Sequence, residues 1–161
     1  SGVTLVINRQ DRMERVPGDI PTILKYTTFA EKNSKFNTPP CFEVYVLQLV
    51  MKWIEESEGG LAHREQINRQ KAALLYDYLD KSDFYNGTAA KEDRSIMNVT
   101  FLLKDASLEG TFIGEALANG LVGLKGHRSV GGCRASIYNA STLEALEALV
   151  SFMADFERKY G

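Results

Sequence analysis

The residues of this chain best suited to chemistry are concentrated in one stretch, Lys125-Gly126-His127-Arg128-Ser129-Val130-Gly131-Gly132-Cys133-Arg134. A His-Arg pair and a further arginine flank consecutive glycines. Arginine presents a planar fork of donors that matches a carboxylate or phosphate, and glycines let a ligand approach the main chain. The stretch therefore reads as a cradle for a small anion, with a basic surface loop as the plainer alternative. Arg128 and Arg134 stand six residues apart, so a bend between them could bring both forks to one pocket; the spacing alone does not show that it does.

Charge sets the scale of the partner. The chain has 19 Lys and Arg against 21 Asp and Glu, a formal net charge of −2. That balance creates no long-range field for nucleic acid or an anionic membrane, so the anion site is local and suits a metabolite better than a polymer. With 161 residues, 44% hydrophobic and 25% charged, the composition is that of an ordinary globular chain. Cys41 and Cys133 are too few and too distant for a disulfide framework or metal knuckle, and no N-terminal apolar run resembles a signal peptide or a span. Together these features point to a reducing cytoplasm. His63 and His127 lack neighbours at zinc-ligand spacing, so no metal is expected. Asp77, Asp80 and Asp83 recur at helical spacing and read as a solvated face.

The elements that must position the basic stretch can be read from periodicity. Ser1 to Asn8 is an apolar, β-branched run of strand length. It opens the chain without a preceding turn, which points to a strand torn from a sheet lying upstream and to the C-terminal part of something longer. A long irregular connection from Arg9 ends at Asn37-Thr38-Pro39-Pro40, where Thr38 can cap a helix with Pro39 in its first position. That helix carries Phe42, Tyr45, Val46, Leu49, Val50 and Trp53 on one stripe and stops at Gly59-Gly60. Its N-terminus offers N–H groups and a positive dipole end to an anion.

A second helix is expected over 63–80, a strand over 94–103, a helix over 108–119, and short strands at 121–124 and 135–138. Ser141-Thr142-Leu143-Glu144 then reads as a capping box opening a final amphipathic helix. This order predicts a small α/β sandwich over residues 61–161, with helices packed on a mostly antiparallel sheet. The basic stretch would join two adjacent strands of that sheet.

Three strings resemble a known family. NTPPCF at 37–42, RSIMNVTF at 94–101 and KGHRSVGGCRASIYNA at 125–140 are similar to the C-terminal half of the phosphoserine aminotransferases, pyridoxal-phosphate enzymes of serine biosynthesis. The resemblance runs in register from SGVTLV to FERKYG, over the whole chain. Thr100, where the family often has proline, and Cys133, where it often has methionine, depart from it.

The resemblance implies an aspartate aminotransferase-like fold. Residues 1–60 would be the end of the large cofactor domain with a connecting helix, and 61–161 the small α/β domain. It implies that Asn37 and Thr38 bind the phosphate of pyridoxal 5'-phosphate across a homodimer interface. Arg134 would grip the substrate α-carboxylate, with His127 and Arg128 near the phosphate or distal carboxylate. The implied reaction interconverts phosphoserine plus 2-oxoglutarate and 3-phosphohydroxypyruvate plus glutamate. The family's Schiff-base lysine would lie upstream of Ser1, and Lys25, Lys32, Lys35 and Lys125 do not replace it, so this chain alone is expected to be inactive. A reading of a different class is a free-standing regulatory module that binds an amino acid through Arg128 and Arg134.

Overall fold

The computed structural model describes residues 2–13, 15–56 and 59–161. The chain divides into two compact units, Ser1–Ser57 and Glu58–Gly161.

The first unit holds α1 (Gln10–Met13), α2 (Tyr26–Glu31) and the long α3 (Cys41–Glu56). The apolar periodicity correctly marks α3 as a helix, yet Phe42, Tyr45, Val46, Leu49 and Val50 along it are exposed. Of the strand expected at Ser1 to Asn8, Ser1 lies outside the described residues and the remainder does not form a strand. Residues 2–9 are irregular, and Leu5 and Ile7 are 74% and 89% exposed. Strand propensity cannot make a strand without a neighbouring ladder, and no segment among the described residues supplies one.

The second unit is built on α4 (Gly60–Lys81), β1 (Tyr85–Gly87), β2 (Asn98–Leu103), α5 (Glu109–Ala118), β3 (Cys133–Ser136) and α6 (Leu143–Tyr160). The strands form one antiparallel sheet in the order β1-β2-β3. Period-two alternation sends Val99, Phe101 and Leu103 of β2, with Cys133 and Ala135 of β3, into the core. Helices supply the other wall: Leu75 and Leu79 of α4, Phe112 and Ala116 of α5, and Leu146, Leu149, Met153 and Phe156 of α6. Phe112 lies at the centre, with ring centroids 5.1 Å from Phe156, 5.9 Å from Phe101 and 5.9 Å from Tyr85. Such edge-on pairs each add about 1 kcal/mol beyond the burial of their surface. The buried Tyr85 hydroxyl donates to the Met153 carbonyl at 3.0 Å, which removes the cost of an unpaired polar group.

Two local expectations need correction, and one strand was not expected. Residues 121–124 contribute no strand; the segment is irregular, with Gly123 at φ +80°, and an isolated bridge, Lys125 to Cys133, follows it onto β3. β1 escapes the sequence pattern, because Asn86-Gly87 reads as a turn, but pairing of Tyr85 with Leu103 and Gly87 with Phe101 holds it in the sheet. At α6 the cap is Thr142 rather than Ser141: its Oγ1 accepts the Ala145 N–H at 3.3 Å. No helix among the described residues is long and apolar enough to cross a membrane.

Candidate functional site

The alternation that buries Cys133 and Ala135 places Arg134 and Ser136 on the opposite, less buried side of β3. There Arg134 pairs in register with Thr100, and Ser136 with Asn98. Neighbouring polar groups satisfy one another: Ser136 Oγ bonds Asn98 Oδ1 at 3.2 Å, and the Thr88 and Thr100 hydroxyls bond together. Arg134 is the exception. Its Nε is buried and has no hydrogen-bond partner among the described residues. A buried donor without a partner costs free energy comparable to a lost hydrogen bond; the Arg94 Nε shares that condition, but the Arg94 Nη atoms bind Asp80, whereas the Arg134 side chain makes no hydrogen bond among the described residues.

The segment before β3 closes into a loop. Gly126 N–H donates to the Gly132 carbonyl at 2.8 Å and Arg134 N–H to the Leu124 carbonyl at 2.8 Å, while Val130 and Gly131 both donate to the His127 carbonyl at 2.9 and 2.8 Å. The glycines are required by this closure. A Cβ on Gly126 would collide with the Gly131 carbonyl oxygen, and Gly132 combines φ of +68° with 2.6 Å from such a Cβ to Leu102 Cδ2. The expectation that the glycine pair permits a backbone other residues would strain is thereby met.

His127 and Arg128 are exposed on this loop. Sequence reasoning overlooked Ser129. Its N–H donates to His127 Nδ1 at 3.3 Å and its Oγ lies 2.7 Å from the same nitrogen. With Nδ1 accepting, Nε2 is left as the ring's donor. A serine two residues after a histidine was the available signal, since short polar side chains bond locally in turns.

Asn37 and Thr38 belong to the first unit, exposed in the irregular segment before α3. Thr38 is not the cap of that helix. The helix begins at Cys41, and its first turn is closed by the Val44 N–H on the Pro40 carbonyl at 3.0 Å. The consecutive prolines push the start two residues beyond the expected position. The Asn37 amide and Thr38 hydroxyl make no hydrogen bond among the described residues, so their polar groups are available beside a helix N-terminus.

One lysine escaped the sequence reading altogether. Lys71 of α4 is fully buried, and burial, followed by the Arg64 charge, lowers its pKa from the ordinary lysine value. A lysine so perturbed is a candidate nucleophile. Its geometry argues against that role: Nζ donates to the Ile137, Tyr138 and Ser141 carbonyls at 3.3, 2.8 and 3.0 Å, which occupies all three ammonium hydrogens. The available signal was positional. Arg64, Asn68, Lys71, Leu75 and Leu79 succeed one another at three- and four-residue spacing, so the polar residues continue the core-facing row.

Asp77, Asp80 and Asp83 lie exposed, as the solvated-face reading expects, and Asp80 there carries an ion pair. It accepts both Arg94 guanidinium nitrogens at 2.9 and 2.5 Å and lies 3.3 Å from Lys91 Nζ, and these hydrogen bonds hold its carboxyl down at about 2. The Cys133 thiol is pushed up to about 12 by burial, so it packs as an apolar side chain rather than reacting as a thiolate.

Comparison with known proteins places this geometry. Residues 1–149 match the family model described as Aminotransferase class-V. Over its full length the chain is 62% identical to the phosphoserine aminotransferase of Syntrophobacter fumaroxidans and 60% identical to that of Desulfatibacillum aliphaticivorans, covering 44% and 45% of those proteins. The chain thus spans less than half the length of these curated relatives. Among solved structures, the phosphoserine aminotransferase from Bacillus circulans subsp. alkalophilus superposes with a TM-score of 0.85 at 50% identity, over 95% of this chain and 42% of that one. The PLP-bound phosphoserine aminotransferase from Trichomonas vaginalis gives a TM-score of 0.81 at 38% identity, over 91% of this chain and 42% of that one.

Proposed function

We propose, since this chain belongs to the aminotransferase class-V family, that it is the C-terminal portion of a phosphoserine aminotransferase. The whole protein would be a cytoplasmic homodimer that interconverts phosphoserine plus 2-oxoglutarate and 3-phosphohydroxypyruvate plus glutamate. Residues 1–60 would end its large domain and 61–161 would form its small domain.

One observation carries the reading: Arg134, its Nε buried, makes no side-chain hydrogen bond among the described residues, on a sheet face where the neighbouring polar side chains are already paired. A planar fork in that condition suits a substrate α-carboxylate, which accepts two parallel N–H bonds. Arg128 and the Nε2–H of His127, on the loop pinned to β3, are the donors assigned to the substrate's phosphate or distal carboxylate. Such two-ended holding fixes the amino acid so that its Cα–H bond has one orientation.

The donor set of Asn37 and Thr38 fits the phosphate of pyridoxal phosphate: an amide, a hydroxyl and the first N–H groups of α3 lie together in sequence. Bound, that cofactor supplies the electron sink for losing the Cα proton. These two residues would hold the phosphate of the other subunit's cofactor. The Schiff-base lysine is assigned to a part of the protein outside this chain.

The full-length protein, incubated with phosphoserine and 2-oxoglutarate, should form glutamate in equal amount to the keto acid produced. Amino transfer from another donor with none from phosphoserine would overturn the substrate assignment while leaving the family intact.

A further inference from the structure

β3 is a four-residue edge strand, hydrogen-bonded along one side to β2 and touched on the other only by the Lys125 bridge. Its register decides which side chains face the core. A slip of one residue would carry Arg134 into the core and turn Cys133 and Ala135 outward, because successive side chains alternate. Four Cα pairs with β2 are a small ladder for so consequential a choice.

The turn on the C-terminal side of β3 is held tightly. Ile137 N–H donates to the Met97 carbonyl at 2.9 Å, and the turn from Tyr138 to Ser141 is closed by the Ser141 N–H at 2.9 Å. Three residues from one face of α4 then grip this turn. Arg64 Nη1 donates to the Asn139 carbonyl at 2.9 Å, Asn68 Nδ2 to Asn139 Oδ1 at 2.8 Å, and Lys71 Nζ to the carbonyls of Ile137, Tyr138 and Ser141. All three are buried. Burying an ammonium against neutral carbonyls is an expensive way to fill space, and a packed apolar side chain commonly stabilises such a position better. The ammonium offers direction instead: its three donors fit one arrangement of three carbonyls, and that arrangement begins three residues after Arg134.

We infer that Lys71, with Asn68 and Arg64, locks the register of β3 and so aims Arg134 at the substrate carboxylate. Lys71 is a positioning residue, and its effect on the reaction rests on the role proposed above for Arg134. The lock itself does not.

The test uses the full-length holoenzyme. Lys71→Met keeps much of the volume and removes every donor. In the folded fraction it should raise the KM for the amino-acid substrate by roughly tenfold while changing kcat far less, the signature of lost ground-state binding. Lys71→Arg should recover part of that loss. Amide hydrogen exchange over residues 133–141 should accelerate in Lys71→Met. A lower melting temperature with unchanged KM and unchanged exchange over 133–141 would overturn the proposal. If Lys71→Met does not fold, Asn68→Leu decides by the same split: a rise of a few-fold in KM supports the lock, and an unchanged KM defeats it. Should the wild-type protein show no amino transfer, the functional assignment fails separately, and exchange over 133–141 alone judges the lock.

Discussion

Two regions of the second unit collect cations, and they treat them in opposite ways. Along α4, Arg64 and Lys71 are buried, with Lys71 given all three acceptors it can use and Arg64 bound to the Asn139 carbonyl. Around β3, neither Arg134, whose Nε is buried, nor the exposed Arg128 makes a side-chain hydrogen bond among the described residues. Burial and a perturbed pKa would nominate Lys71 as the chemical group. Donor satisfaction reverses that ranking: Lys71 uses all its donors internally and belongs to the architecture, whereas Arg134 and Arg128 keep the donors that the proposed substrate contacts require.

That contrast can be broken experimentally. The largest effect is expected from Arg134→Ala in the full-length enzyme. Losing a charge-assisted fork should lower kcat/KM by about 3 kcal/mol, roughly a hundredfold, while denaturant unfolding shifts by no more than about 0.5 kcal/mol because the fold gains no bond from this side chain. Near wild-type kinetics would remove Arg134 from the site. A smaller effect is expected for His127→Ala, about 2 kcal/mol for the single hydrogen bond that Nε2 makes to a charged acceptor. Steady-state rates should show that loss with phosphoserine and not with a non-phosphorylated analogue; equal losses would leave His127 as a support of its loop.

The smallest effect belongs to the saturated class. Asp80→Asn should leave KM and kcat unchanged and alter only the pH dependence of stability. The Asp80 carboxyl titrates at about 2, below its ordinary 3.8, so its contribution is fully present above the ordinary value and is lost as pH falls through about 2. Unfolding midpoints of wild type and variant should differ at neutral pH and converge in acid. A gap that persists below pH of about 2 would assign the difference to something other than this ion pair.

Much of the second unit is legible in the sequence because periodicity and capping are local. The apolar stripes of α4, α5 and α6 and the alternation of β2 lie where the pattern puts them. The misses share a cause. β1 exists because β2 pairs with it, whereas Val3 to Asn8 and 121–124 have strand-like residues without a ladder to join. The α3 start moves because Pro40, not Thr38, accepts the first helical bond. The basic stretch is visible by composition, but its closure through Gly126 and Gly132 needs carbonyl positions that composition does not contain.

Taken alone, then, the order of residues determined the candidate anion-binding groups, the glycine pair among them and the family resemblance, because these depend on side-chain type and near neighbours. Which cations are free was decided only in three dimensions. Arg134 and Lys71 differ little as letters in a sequence; the pleat of β3 leaves the Nε of one without a partner, and a turn 66 residues away supplies carbonyls to the other. Hydrogen-bond satisfaction is a property of assembled neighbours, and only the folded chain assembles them.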